Sequence, residues 1–102
     1  MDDQSKRAVL GVWDLQKTTF QEVTDFLKHG REIEFSYNNK LYSITANKYW
    51  IFCCGDRMIE RICPFEDKKT LVERVASFCI EGVPVPVIFD NDEYDEGSVC
   101  IL

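Results

Sequence analysis

Histidine occurs once in this chain, at His29, and neither a G-x-S-x-G elbow nor a C-x-x-C pair occurs at all. An activated serine needs a general base, and dithiol exchange needs a paired cysteine, so hydrolase triads and dithiol redox chemistry are disfavoured. Long apolar runs are missing too. The longest one without proline is Tyr49-Trp50-Ile51-Phe52-Cys53-Cys54, whereas a bilayer-spanning helix takes about 20 residues. The N-terminus, Met1-Asp2-Asp3-Gln4-Ser5-Lys6-Arg7, opens acidic and lacks the apolar region of a secretory signal. The five cysteines are odd in number and irregularly spaced. Together these absences predict a cytoplasmic protein with reduced thiols, no membrane segment, no cofactor and no metal.

Positive charge is scarce where negative charge is dense. The formal net charge is −6 over 102 residues. All 12 Lys and Arg lie at or before Arg74, while Glu81, Asp90, Asp92, Glu93, Asp95 and Glu96 follow residue 80. The body is therefore neutral and the last quarter carries the whole excess. Phosphate backbones bind basic surfaces, so nucleic acid is disfavoured as a partner. A basic protein partner fits the acidic end.

What is present reads as an α+β domain of one core. Thr19-Phe20-Gln21-Glu22 is a capping box, and the helix after it puts Phe20, Val23, Phe26 and Leu27 on one face. His29 and Gly30 close that helix. Ile33, Phe35 and Tyr37 then alternate with Glu34 and Ser36, the period of a half-buried strand. Asn38-Asn39 suits a two-residue hairpin turn pairing Tyr37 with Lys40, Phe35 with Tyr42 and Ile33 with Ile44. A second two-residue turn at Asn47-Lys48 pairs Ile44 with Ile51 and Tyr42 with Cys53. This register puts Tyr49, Ile51 and Cys53 under the helices, and Trp50, Phe52 and Cys54 beside Leu41 on the far side. The strand from Arg57 to Cys63 has an open register: a two-residue loop turns Ile59 toward the Trp50 side, a three-residue loop turns it away. A second helix begins near Pro64 or Asp67 and carries Leu71, Val72, Val75, Phe78 and Cys79, with Glu81-Gly82 at its end.

The expected architecture is a four-stranded antiparallel meander with two helices on one face and an irregular acidic C-terminal tail. Residues 1–18 form an N-terminal extension, in which Val9–Leu15 is an edge strand or an apolar strap. Residues 19–82 form the core, and 83–102 a proline-containing acidic segment. Pro84 and Pro86 exclude a central strand there. An extended arm or a short helix begun at Pro86 both fit, and Ser98–Leu102 suits a last short strand.

Two groups of residues are candidates for binding. Leu41, Trp50 and Phe52 make an apolar sheet face that a chain segment, a partner or a second copy must cover. Asp90, Asp92, Glu93, Asp95 and Glu96 offer a string of charge to a basic groove. The acidic run is not a calcium loop, since Tyr94, Asp95 and Ile101 occupy its fifth, sixth and twelfth places. Cys53 and Cys54 are adjacent on a strand and point to opposite faces, so they are poor common ligands. A catalytic role for His29 is outweighed by its place at a helix end.

The stretch from Phe20 to Ile44, with its helix followed by Glu34-Phe35-Ser36-Tyr37-Asn38-Asn39-Lys40-Leu41-Tyr42-Ser43-Ile44, resembles small uncharacterised proteins common in Gram-positive bacteria and their prophages. Phe65–Val72 and Ile80-Glu81-Gly82 are similar to their second half. The resemblance spans about residues 19–96 and includes no catalytic signature. It implies a mobile-element accessory or counter-defence protein acting by binding. The function expected is thus a non-enzymatic protein-binding module or inhibitor with an acidic surface. The alternatives are a structural homodimer joined through the Trp50/Phe52 face and a thiol-dependent metal or redox protein.

Overall fold

The computed structural model describes residues 17–102. The expected strap Val9–Leu15 lies outside the described residues. The order of elements is α1 (Phe20–Lys28), β1 (Ile33–Tyr37), β2 (Lys40–Ala46), β3 (Tyr49–Cys54), β4 (Arg57–Pro64), α2 (Lys68–Ser77), β5 (Cys79–Ile80), β6 (Val83–Pro84), α3 (Val85–Asp90) and β7 (Cys100–Ile101). The protein is α+β: β1 to β4 form an antiparallel meander, and β7 joins it beside β1 to give the order β4-β3-β2-β1-β7.

Local chemistry accounts for the ends of α1. The Thr19 side chain accepts from the Glu22 amide, and the Glu22 carboxylate accepts from the Thr19 amide at 2.9 Å. Such a cap contributes about 1 kcal/mol. Gly30 follows at φ +81, a conformation that other residues adopt only with strain. Val23 and Leu27 are buried on the inner side of this helix. In α2 the Asp67 carboxylate caps by accepting from the Thr70 amide at 3.1 Å, and hydrogen bonding from the Thr70 side chain, then from that amide, holds the carboxyl below its usual range. Leu71 and Val75 are buried, but the helix stops at Ser77, and Cys79 is exposed on β5 instead of completing the apolar stripe. Glu81-Gly82 turns the small β5–β6 hairpin, both residues having positive φ.

The first hairpin has the expected register, with Ile33 opposite Ile44, Phe35 opposite Tyr42 and Tyr37 opposite Lys40. Asn38 and Asn39 both have positive φ, the requirement of a type I′ turn. The second hairpin differs from expectation by one residue. Ala46 faces Trp50, Ile44 faces Phe52 and Tyr42 faces Cys54, leaving three residues in the connection. Asn47 explains the extra one: its side-chain oxygen accepts from the Tyr49 amide at 3.1 Å, and its own amide donates to the Tyr49 carbonyl at 3.1 Å. A one-residue slip moves every side chain of a strand to the other face. Trp50, Phe52 and Cys54 thus point at the helices, and Ile51 and Cys53 point away. The slip is favoured by volume, since an indole and a phenyl ring hide more apolar surface than Ile51 and Cys53 would.

The third hairpin has a two-residue loop, Cys54 facing Arg57. The pairing then skips Ile59 and Ile62, which sit in bulges, so Ile59 belongs to neither regular face and is 43% exposed. The bulges also shorten the regular pairing of this edge strand.

The C-terminal segment is not an irregular tail. Pro86 lies in the first turn of α3, where its missing amide hydrogen costs nothing. Val85, Ile88 and Phe89 enter the same core as Val23, Leu27, Ile33, Phe35, Ile44 and Trp50. β7 pairs Ile101 with Ile33 and Cys100 with Glu34. All three helices give their buried residues to this one core on the inner side of the sheet.

Candidate functional site

Trp50 and Phe52 are core residues and do not share a surface with Leu41. Trp50 is 0% exposed and stacks on Phe65, with ring centroids 5.4 Å apart and planes 12° apart. Its indole Nε1 donates to the Phe65 carbonyl at 3.0 Å, so the one polar atom of the ring is satisfied. Phe52 stacks on Phe78 at 4.6 Å. An interface built on these two rings would need the helices removed. The dimer expected through the Trp50/Phe52 face therefore has no such face to use.

The acidic run is largely committed to internal contacts. Asp90 accepts from the Phe20 amide at 2.9 Å and so joins the end of α3 to the start of α1. Asp92 pairs with Lys17 at 2.8 Å and accepts from the Tyr94 hydroxyl at 3.3 Å. The Asp92 carboxylate raises the Lys17 ammonium above its ordinary value, chiefly through the hydrogen bond that Lys17 donates to it. Tyr94 packs on Phe89, and its hydroxyl also accepts from the Thr18 amide at 2.9 Å. Asp95 accepts from the Asn39 amide at 2.9 Å while its own amide donates to the Ser36 carbonyl at 2.8 Å. Glu93 and Glu96 have exposed side chains.

Among the described residues, the register of β3 leaves a different surface open. Along the outer side of the sheet, Glu34 faces Ser43 and Ser36 faces Leu41; Ser43 faces Cys53 and Thr45 faces Ile51; Cys53 faces Met58 and Ile51 faces Arg61. Leu41 and Met58 are 47% and 54% exposed, and Ile51 and Cys53 are half-buried. Tyr49 ends the β3 row, with the Arg61 guanidinium 4.8 Å above its ring. Of the residues singled out from sequence, only Leu41 lies on this side. Ile51, Cys53 and Met58 were legible as apolar, but their exposure depends on a register that the sequence leaves open.

The cysteines are separate and free, and among the described residues no group of three His, Cys, Asp or Glu is placed to hold a metal ion. Cys63 is buried, donates to the Asp67 carbonyl at 3.4 Å, and has its thiol pushed up by burial and then by the Asp67 charge. Thiolate is the reactive form. A maleimide followed by timed mass spectrometry should therefore modify exposed Cys79 and Cys100 first, Cys53 and Cys54 next, and Cys63 last. Early modification of Cys63 would contradict its placement. His29 is exposed at the end of α1, with Nδ1 2.7 Å from the Asp25 carbonyl oxygen.

Among the described residues no helix is long and apolar enough to cross a membrane. Comparison of the chain with protein-family models, with curated proteins and with solved structures returns no match.

Proposed function

We propose that this protein is a non-enzymatic binding module whose contact surface is the outer side of the sheet. The observation that carries this reading is one-sided cover among the described residues. Three helices bury the inner side, while Leu41, Ile51, Cys53 and Met58 form neighbouring rows on the outer side of β2, β3 and β4. Single exposed apolar side chains are ordinary; a contiguous group on a flat sheet marks a contact surface. The resemblance to prophage-borne proteins supports a role as a mobile-element accessory or inhibitor.

A second reading places contact on the acidic end against a basic partner, supported by the exposed side chains of Glu93 and Glu96. One comparison separates the two. Immobilised protein is used to capture binding protein, including untagged copies of itself, from the lysate of the cell that makes it. Capture should be lost with Leu41→Lys/Met58→Lys and retained with Glu93→Gln/Glu96→Gln. The opposite pattern transfers the function to the acidic end, and equal capture by both variants removes both surfaces.

A further inference from the structure

We infer that the end of the sheet at the β2–β3 turn binds an acidic peptide segment of a partner protein. Residues 1–80 are neutral in sum, but the fold sorts their charge. Carboxylates lie toward the Asn38-Asn39 turn: Asp95 accepts from the Asn39 amide, and Glu81 pairs with Lys40 at 3.6 Å. At the opposite end, cations gather around one ring. The Phe65 amide donates to the Lys48 carbonyl at 3.0 Å, which ties the β2–β3 turn to the stretch between β4 and α2. The Lys68 ammonium stands 4.5 Å from the Phe65 ring centroid, and Lys69 follows it in the first turn of α2. Beside Lys48, Tyr49 carries the Arg61 guanidinium over its ring. Among the described residues, Lys48, Arg61 and Lys69 are exposed, as are both rings, and none of the four cations belongs to an ion pair. Of the carboxylates close by, Glu32 accepts from the Ala46 amide at 2.8 Å and Asp67 from the Thr70 amide, so both are already engaged.

Like charges held together oppose folding, and an anion that joins them removes that cost. Lys68 and Lys69 deepen the cost, because they stand at the positive end of the α2 dipole, where acids are favoured. The rings decide which anion fits. Binders of single-stranded nucleic acid offer open aromatic faces to bases. Here Phe65 is stacked on Trp50, and both exposed rings hold cations, so their task is to fix ammonium and guanidinium groups in place. A cation already held over a ring loses less freedom when it pairs, and a guanidinium matches the two oxygens of a carboxylate. A short acidic segment uses these contacts and needs no base stacking. The net charge of −6 also opposes a long polyanion more than a short one.

Fluorescence anisotropy of a labelled short peptide alternating Glu and Ala, titrated with the full chain at physiological salt, tests this. The peptide should bind, and its Gln–Ala counterpart should not. Lys48→Gln/Arg61→Gln should weaken binding about tenfold, a few-fold for each exposed pair. Lys40→Gln/Arg57→Gln removes the same charge from the other end of β2 and β4. It should change the affinity less than about twofold, since exposed charges more than about 10 Å away are screened. Near-ultraviolet dichroism of the Trp50 environment verifies that each variant is folded. A wild type that does not bind the Glu–Ala peptide overturns the proposal. Equal weakening by the two variants also overturns it, by reducing the effect to net charge. A polythymidylate of the same length that binds more tightly than the peptide overturns it as well, and assigns this end to nucleic acid.

Discussion

Replacing Trp50 with alanine should lower stability by about 3–5 kcal/mol, the range for removing a buried aromatic side chain. The side chain is fully buried, stacked on Phe65 and bonded to its carbonyl. The loss is comparable with the whole stability of many small domains, so the variant should be largely unfolded at moderate urea. Ile51→Ala, one residue along and on the outer side, should cost about 1 kcal/mol. Urea unfolding followed by far-ultraviolet dichroism measures both. If Ile51→Ala proves the costlier change, the register of β2 on β3 is wrong, and the proposed contact surface on the outer side goes with it.

Deleting Asp90–Glu96 should prevent folding. An irregular tail would be dispensable, but this segment is threaded through the structure. It contains the acceptor for the Phe20 amide, the Tyr94 ring against Phe89, and the Asp95 bonds to Ser36 and Asn39. It also connects α3 to β7. The loss of these contacts together exceeds what a domain of this size can absorb. Phe89→Ala tests the same point with less damage and should cost about 3–5 kcal/mol, because Phe89 is 1% exposed and meets Phe35 edge-on at 4.9 Å. Amide dispersion in a proton–nitrogen correlation spectrum reports the outcome. A well-dispersed spectrum from the deletion would show that α3 and β7 are decoration.

These two experiments fall on the two places where sequence and structure part. The capping box at Thr19–Glu22, the alternation from Ile33 to Tyr37 and the Asn38-Asn39 turn are all local signals, and the structure follows each of them. The β2–β3 connection carries a signal with two outcomes. Asn47 can sit in a two-residue turn, or use its side chain to hold the Tyr49 amide and lengthen the connection by one. Polarity could not arbitrate, because β3 is apolar on both sides and period-2 alternation is silent there. For the C-terminal segment, composition was misleading. Five carboxylates in seven residues read as a solvated run, yet three accept bonds that the fold needs. A charge pattern records how many acids there are, not which amides lie within reach of them.

By itself the chain of residues determines an α+β domain with a helix, an antiparallel meander and a second helix in that order. Propensity, capping and alternation act over a few neighbours and need no knowledge of the rest. Only the tertiary structure decides which side of β3 is inside, because that depends on whether two rings or two smaller groups best fill the space under three helices. From that single choice follows which side chains of β3 the helices cover.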